Sequence, residues 1–169
     1  MKRVVVTGSE STGKTTLAAR LAAHFAAALT PEFSREYAAR KPSPLGPSDV
    51  EPIARGQRAL EEAAALRAGR LLIQDTDLLS TCLYAQHYYG ACPPSVRRAL
   101  CPPDLYLLLS IDVPWVPDPH RDRGHVREHM HALFRDAVRA SGAPFAEITG
   151  GWDERFRRAV LAVEGILGD

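Results

Sequence analysis

A chain of 169 residues with 46% hydrophobic and 24% charged side chains has the size and composition of one compact domain, which excludes a predominantly disordered chain and disfavours several domains. Its 21 Lys and Arg against 20 Asp and Glu leave a formal net charge of +1, so no bulk attraction to nucleic acid or an anionic membrane is expected. Only three of these cations, Lys2, Lys14 and Lys41, are lysines.

Val4-Val5-Val6 is a β-branched run without polar alternation, the pattern of a parallel strand buried on both faces. A glycine-containing loop follows, and from Thr15 the apolar positions Leu17, Leu21, Phe25 and Leu29 recur every four residues, predicting one helical stripe. Residues 17–29 are the longest apolar stretch, but Arg20 and His24 interrupt it and it falls short of the ~20 residues a membrane helix needs. Three prolines and a glycine make 41–47 a loop, and Ser48 with Glu51 predicts a capping box for a helix running to about Arg67. Leu71-Leu72-Ile73 reads as a second buried strand ending in Gln74-Asp75-Thr76-Asp77, and 105–111 as a third ending in Asp112. Helical patterns lie between these strands and again at Val126, Met130, Leu133, Phe134, Ala137 and Val138. A short strand at 145–148 precedes a last helix marked by Phe156, Val160, Val163 and Leu167. Strands alternating with helices predict an α/β fold with a mostly parallel sheet and ligands at the strands' carboxyl ends.

The three cysteines, Cys82, Cys92 and Cys101, are odd in number and lack CxxC spacing, which argues against a disulfide framework and for a cytoplasmic setting. His125, His129 and His131 have metal-like spacing, but neither cysteine nor carboxylate completes a zinc set.

Gly8-Ser9-Glu10-Ser11-Thr12-Gly13-Lys14-Thr15 fits G-x-x-x-x-G-K-[ST] without a gap, between a predicted strand and a predicted helix. The glycines let backbone N–H groups turn inward around phosphate oxygens, and the following helix adds its positive N-terminal end. Lys14 then reaches the β- and γ-phosphates, and Thr15 offers a hydroxyl to Mg²⁺. Asp75, closing a buried strand, stands where a carboxylate holds Mg²⁺ in such sites. Asp77 either shares that role or caps the next helix. Arg121, Arg123 and Arg127 cluster after the third strand, as a lid neutralising a moving phosphoryl group or as a solvated basic face.

Several segments together resemble the ribosylnicotinamide kinase domain, the C-terminal part of a bacterial regulator of NAD metabolism. They are Gly8 to Thr16, Glu32-Phe33-Ser34-Arg35-Glu36-Tyr37, Asp75-Thr76-Asp77, Thr81 with Tyr84 and Gly90, and Asp112-Val113-Pro114-Trp115-Val116-Pro117-Asp118 followed by Arg121. The resemblance spans nearly the whole chain. It implies one P-loop kinase domain over 1–169, a three-layer fold with a five-stranded parallel sheet between helices, and an arginine-bearing lid at about 115–128. ATP and Mg²⁺ are the implied cofactors and nicotinamide riboside the implied phosphate acceptor. Carried over, Glu32, Arg35 and Glu36 surround the acceptor with Asp77 and Tyr84, Asp75 meets the reacting hydroxyl and the metal, and Trp115 and Asp118 open the lid. Arg121 and Arg127 serve the transferring group. Gly150-Gly151-Trp152 wraps the adenine, with Arg155 a second candidate there.

This chain departs from the family at Pro31, where the family carries a tryptophan, and at Asp118-Pro119, where it carries Asp-Gly. Phe33, Tyr84, Tyr88 and Trp115 are alternative stacking surfaces for the acceptor ring. At this length a stand-alone kinase, without a DNA-binding or adenylyltransferase domain, is expected. A nucleoside monophosphate kinase with Arg35 on the acceptor phosphate, and a nucleotide-binding regulatory module, are the competing readings.

Overall fold

A computed structural model describes residues 1–114 and 126–168. In chain order the elements are β1 (Lys2–Thr7), α1 (Lys14–His24), β2 (Ala28–Thr30), α2 (Phe33–Arg40), a 3₁₀ turn (Pro47–Asp49), α3 (Val50–Ala65), β3 (Leu71–Asp75), α4 (Leu78–Tyr89), α5 (Pro94–Arg98), β4 (Leu105–Leu109), α6 (Arg127–Ala140), β5 (Phe145–Ile148) and α7 (Trp152–Gly168). The five strands form one parallel sheet in the order β2-β3-β1-β4-β5. Chain order reverses on either side of β1, which opens the crevice at its carboxyl end where α/β sheets bind ligands.

The uniform apolar runs read as buried strands are buried because helices cover both faces. Val4, Val6, Leu71, Ile73, Leu107 and Leu109 pack under Leu17 and Leu21 of α1 and Ala159 and Val163 of α7. On the opposite face Val5 and Tyr106 meet Val138, and Leu108 meets Met130 and Phe134, all from α6. Each fully buried Val, Leu or Ile contributes about 1.5–3 kcal/mol, so this double-sided core outweighs any single polar contact in holding the sheet. Among the described residues no helix is long and apolar enough to cross a membrane.

Three expectations are corrected. The stripe predicted to run through Leu29 is two elements: α1 ends at His24, Ala26 takes a left-handed φ of 48°, and Leu29 belongs to β2. Leu29 still packs on the core reached by Leu17 and Leu21, which is why the four-residue spacing looked continuous. The helix predicted from Ser48 begins at Val50, with Asp49 at its cap position and Ser48 inside the 3₁₀ turn. Cys82 and Cys92 are joined in a disulfide. Gly90, at φ 77°, ends α4 and turns the chain back, leaving the two Cα atoms 5.0 Å apart. That separation lies within the usual disulfide range, and no count of cysteines could reveal it. Cys101 is free and exposed.

Candidate functional site

The loop after β1 is built on three left-handed residues: Gly8 at φ 136°, Ser11 at 54° and Gly13 at 85°. Glycine is needed twice for space as well. A Cβ on Gly8 would lie 2.9 Å from the Leu109 carbonyl oxygen, and one on Gly13 would lie 2.5 Å from the Trp152 ring. Lys14 opens α1 and is 7% exposed, with its ammonium donating to the Ser9 carbonyl at 2.7 Å. The Thr12 hydroxyl donates to the same carbonyl at 2.9 Å. The Ser9 carbonyl is thus occupied by an ammonium and a hydroxyl, and the loop leads into the positive N-terminal end of the α1 dipole.

Asp75 ends β3 beside this loop and is 2% exposed. The Thr15 hydroxyl donates to its carboxylate, and its Oδ1 has no hydrogen-bond partner. Burial pushes its pKa up; Glu32 adds to the rise, while Thr15, Lys14 and Arg35 oppose it. One carboxylate therefore feels the phosphate loop on one side and the Glu32/Arg35 pair of the α2 end on the other.

Glu32 stands at the N-cap position of α2, its carboxylate accepting from the Ser34 hydroxyl at 2.7 Å and lying 3.5 Å from the Arg35 guanidinium. Glu36, expected beside the acceptor, is instead half exposed and bound to Arg40 at 2.5 Å, an i,i+4 pair along the surface of α2. Asp77 is corrected as well. It caps α4, accepting from the Leu79 and Ser80 N–H groups at 3.1 and 3.5 Å, and Tyr106 donates to it at 2.6 Å. The capping alternative is the one realised, and the carboxylate is committed to it. Tyr84 is half buried between α4 and α6, stacked on Tyr88 with ring centroids 6.0 Å apart and edge-on to Phe134 at 5.7 Å.

Arg127 opens α6 and donates to the carbonyls of Val113 at 2.8 Å and Ser11 at 3.3 Å, bridging the end of the described β4 loop to the phosphate loop. Trp115, Asp118 and Arg121 lie outside the described residues. In the segment Gly150-Gly151-Trp152, Gly150 N–H donates to Asp112 at 2.7 Å, and Trp152 lies against Gly13 of the loop after β1. A cleft of about 50 Å³ between Thr12, Thr16, Leu109 and Trp152 is smaller than the ~300–1,000 Å³ of an ordinary ligand pocket. Arg155, a second candidate for the adenine, is 1% exposed and turned inward. It donates to the carbonyls of Gly150 at 2.8 Å, Ser110 at 2.9 Å and Thr12 at 3.2 Å and pairs with Asp112.

Residues that sequence reasoning missed surround α2. Tyr37 donates to Asp49 at 2.9 Å, Gly46 N–H donates to it at 2.7 Å, and Lys41 pairs with it. The Lys41 hydrogen bond first, and then that of Gly46, hold the Asp49 carboxyl down at about 2. Among the described residues no group of three His, Cys, Asp or Glu side chains is placed to hold a metal ion; His125 lies outside them.

A family model described as an AAA domain matches residues 3–155. The chain belongs to that family. Among curated relatives, it is 28% identical over 178 residues to the trifunctional NAD biosynthesis/regulator protein NadR of Salmonella typhimurium, and 29% identical over 181 residues to the NadR of Escherichia coli. Both alignments cover 100% of this chain and 43% of the relative, so the chain spans less than half the length of the proteins it matches. A solved NadR in complex with NR superposes with a TM-score of 0.82 at 26% identity, covering 99% of this chain and 52% of that one. A NadR complex with NAD and AMP-PNP gives 0.72 at 25% identity, covering 99% and 50%. Thymidylate kinase from Ehrlichia chaffeensis, at 17% identity, a TM-score of 0.70 and coverage of 96% and 98%, shares the fold. The five-stranded parallel P-loop kinase architecture expected from the sequence is the architecture found.

Proposed function

We propose that this domain is an ATP-dependent kinase acting in the cytoplasm on the ribose 5′-hydroxyl of a nucleoside, with nicotinamide riboside the first acceptor to test. The observation that carries the reading is Asp75: a buried carboxylate with a free oxygen, within electrostatic reach of Lys14 on one side and of Glu32 and Arg35 on the other. Likeness to NadR structures holding NR and an ATP analogue supports both the acceptor class and the nucleotide.

The loop 8–15 and Thr16 cradle the ATP phosphates, and Lys14 neutralises the γ-phosphoryl group. Trp152, after Gly150 and Gly151, lies on the adenine side. Asp75 orients the acceptor hydroxyl and takes its proton as that oxygen bonds to the γ-phosphorus; the bond to the β–γ bridging oxygen breaks and ADP leaves. Burial favours this use, since a carboxyl raised from its ordinary range is a stronger base once ionised. Arg127, leaving its carbonyl partners, and Arg121 of the lid stabilise the charge on the moving group, with Trp115 and Asp118 at the lid's entrance. The Thr15 hydroxyl is the hard oxygen donor that Mg²⁺ would take directly, with Asp75 holding the ion through a water. Bound there, the ion would neutralise phosphate charge.

Glu32 and Arg35 orient the ribose and favour an acceptor carrying positive rather than negative charge. A monophosphate acceptor would instead require an Arg35 not already engaged by Glu32. The test is mass detection of product from a panel of nucleosides, nicotinamide riboside among them, and their monophosphates with ATP and Mg²⁺. Nicotinamide mononucleotide is expected, and Lys14→Ala should lower its rate about 100- to 1,000-fold or more. Phosphorylation confined to monophosphates, or near-normal turnover by Lys14→Ala, overturns the reading.

A further inference from the structure

Glycine is disfavoured in a helix interior, yet Gly56 sits in the middle of α3 with no turn to explain it. The explanation is next door. A Cβ placed on Gly56 would come within 2.0 Å of Phe33 Cε1, 2.3 Å of Cζ and 2.4 Å of Cδ1, so the bare backbone receives the edge of the Phe33 ring. Gln57, the following residue and 3% exposed, accepts the Phe33 N–H at 2.9 Å through its side-chain carbonyl. Phe33 is the first residue of α2, and Glu32 and Arg35 flank it.

No residue of α2 is fully buried, so little apolar burial fixes this helix on the body of the protein. Its other described attachment, Tyr37 to Asp49, lies a full turn further on. Because Glu32 precedes Phe33 directly, a shift of the Phe33 backbone that makes room for its ring moves the Glu32/Arg35 pair relative to Asp75.

We propose that Gly56 is a positioning residue for the acceptor side: its missing side chain seats Phe33, Gln57 hooks the backbone beside it, and the pair thereby sets where Glu32 and Arg35 stand over Asp75. This rests on the reading of α2 as the acceptor-side element. It separates two effects of one methyl group. Helix propensity alone makes Gly56→Ala favourable, whereas the Phe33 seat makes it disruptive, and only the second depends on Phe33.

The test is Gly56→Ala alone and in a Phe33→Ala background, with KM measured separately for acceptor and ATP and amide hydrogen exchange followed along α2. Gly56→Ala alone should raise the acceptor KM about tenfold, leave the ATP KM within about twofold, and speed exchange in α2. In the Phe33→Ala background the added methyl should change neither acceptor KM nor exchange, and should raise Tm. A Gly56→Ala protein with unchanged acceptor KM and unchanged α2 exchange overturns the proposal, as does an equal effect in both backgrounds. If no acceptor is phosphorylated even by the unmutated protein, the kinase reading fails while the exchange comparison still decides whether Gly56 seats α2.

Discussion

The two sides of the crevice are built differently. On the nucleotide side, Arg155 binds three carbonyls from three separate loops, the half-buried Arg127 binds two more, and Lys14 a sixth, so the loops after β1, β4 and β5 hang on cations of which Arg155 and Lys14 are buried. On the acceptor side, α2 has no buried residue and is held by one ring seat, one backbone hydrogen bond and the Asp49 cluster. Next to it, α3 and the strands it covers, β2 and β3, hold buried polar atoms without hydrogen-bond partners: Thr30 Oγ1, Gln57 Nε2, Glu61 Oε1 and Gln74 Nε2. Triphosphate is the same in every ATP, so a preformed cradle suits it, and preorganised electrostatics do most for phosphoryl transfer. If α2 is the acceptor helix proposed above, its few attachments leave it the part free to be re-fitted to a different nucleoside without disturbing that cradle.

The strongest way to break this contrast is at Arg155. Arg155→Met leaves the carbonyls of Gly150, Ser110 and Thr12 without their donor and Asp112 without its cation. Asp112 is 40% exposed and stays solvated, so the cost lies in the carbonyls: a buried carbonyl left without its donor costs about 1–3 kcal/mol, which for a domain of this size lowers Tm by roughly 5–10 °C. Because the lost bonds all anchor nucleotide-side loops, the ATP KM should rise well before the acceptor KM does. Arg155→Lys keeps the charge but not the fork, and should recover only part of the stability. A Met variant with unchanged Tm and unchanged ATP KM would show that the loops do not depend on this latch.

The same contrast explains what the sequence made legible. The loop 8–15, β1, β3 and β4 could be read directly, because a phosphate cradle and a doubly covered strand each impose a local pattern. β2 could not: Leu29 carried the period of α1 while belonging to another element. Arg155 could be placed near the nucleotide but not assigned its role, since its partners are backbone carbonyls as far as 143 residues away, and any residue can supply a carbonyl. Asp77 had two readings in the sequence; the Leu79 and Ser80 N–H groups make it a cap, and the bond from Tyr106, 29 residues on, was not legible there. Gly56 drew no reading from the sequence, because its cause, the Phe33 ring, is a contact across elements.

Glu61 probes the buried polar groups of α3. Burial first, then Asp77, push its carboxyl up to about 7 from an ordinary 4.5. The folded state therefore favours the protonated form, and the stability associated with it is fully present below about 4.5 and lost as pH rises through about 7. Glu61→Gln keeps the shape and removes the ionisation. It should be more stable than the unmutated protein by on the order of 2 kcal/mol at pH 8, with the gain shrinking towards pH 5. Denaturant titrations at the two pH values check this; an equal gain at both would mean that the neutral amide packs better and that ionisation is irrelevant.

The smallest expected effect lies at Lys41, on the outer attachment of α2. Asp49 is held at about 2 chiefly by Lys41, so its contribution is present above its ordinary value of 3.8 and lost as pH falls through about 2. Lys41→Met removes the main cause but leaves the Gly46 N–H and the Tyr37 hydroxyl in place. The Asp49 carboxyl, followed by NMR, should then titrate closer to its ordinary value, and acid loosening of α2, read by hydrogen exchange, should begin at a higher pH. At neutral pH Asp49 stays ionised in either protein, so the acceptor KM should rise only a fewfold and the ATP KM not at all. A comparable rise in the ATP KM would mean that the two sides of the crevice are mechanically one, since the Lys41 cluster touches α2 and the turn before α3 but none of the loops that Arg155 gathers.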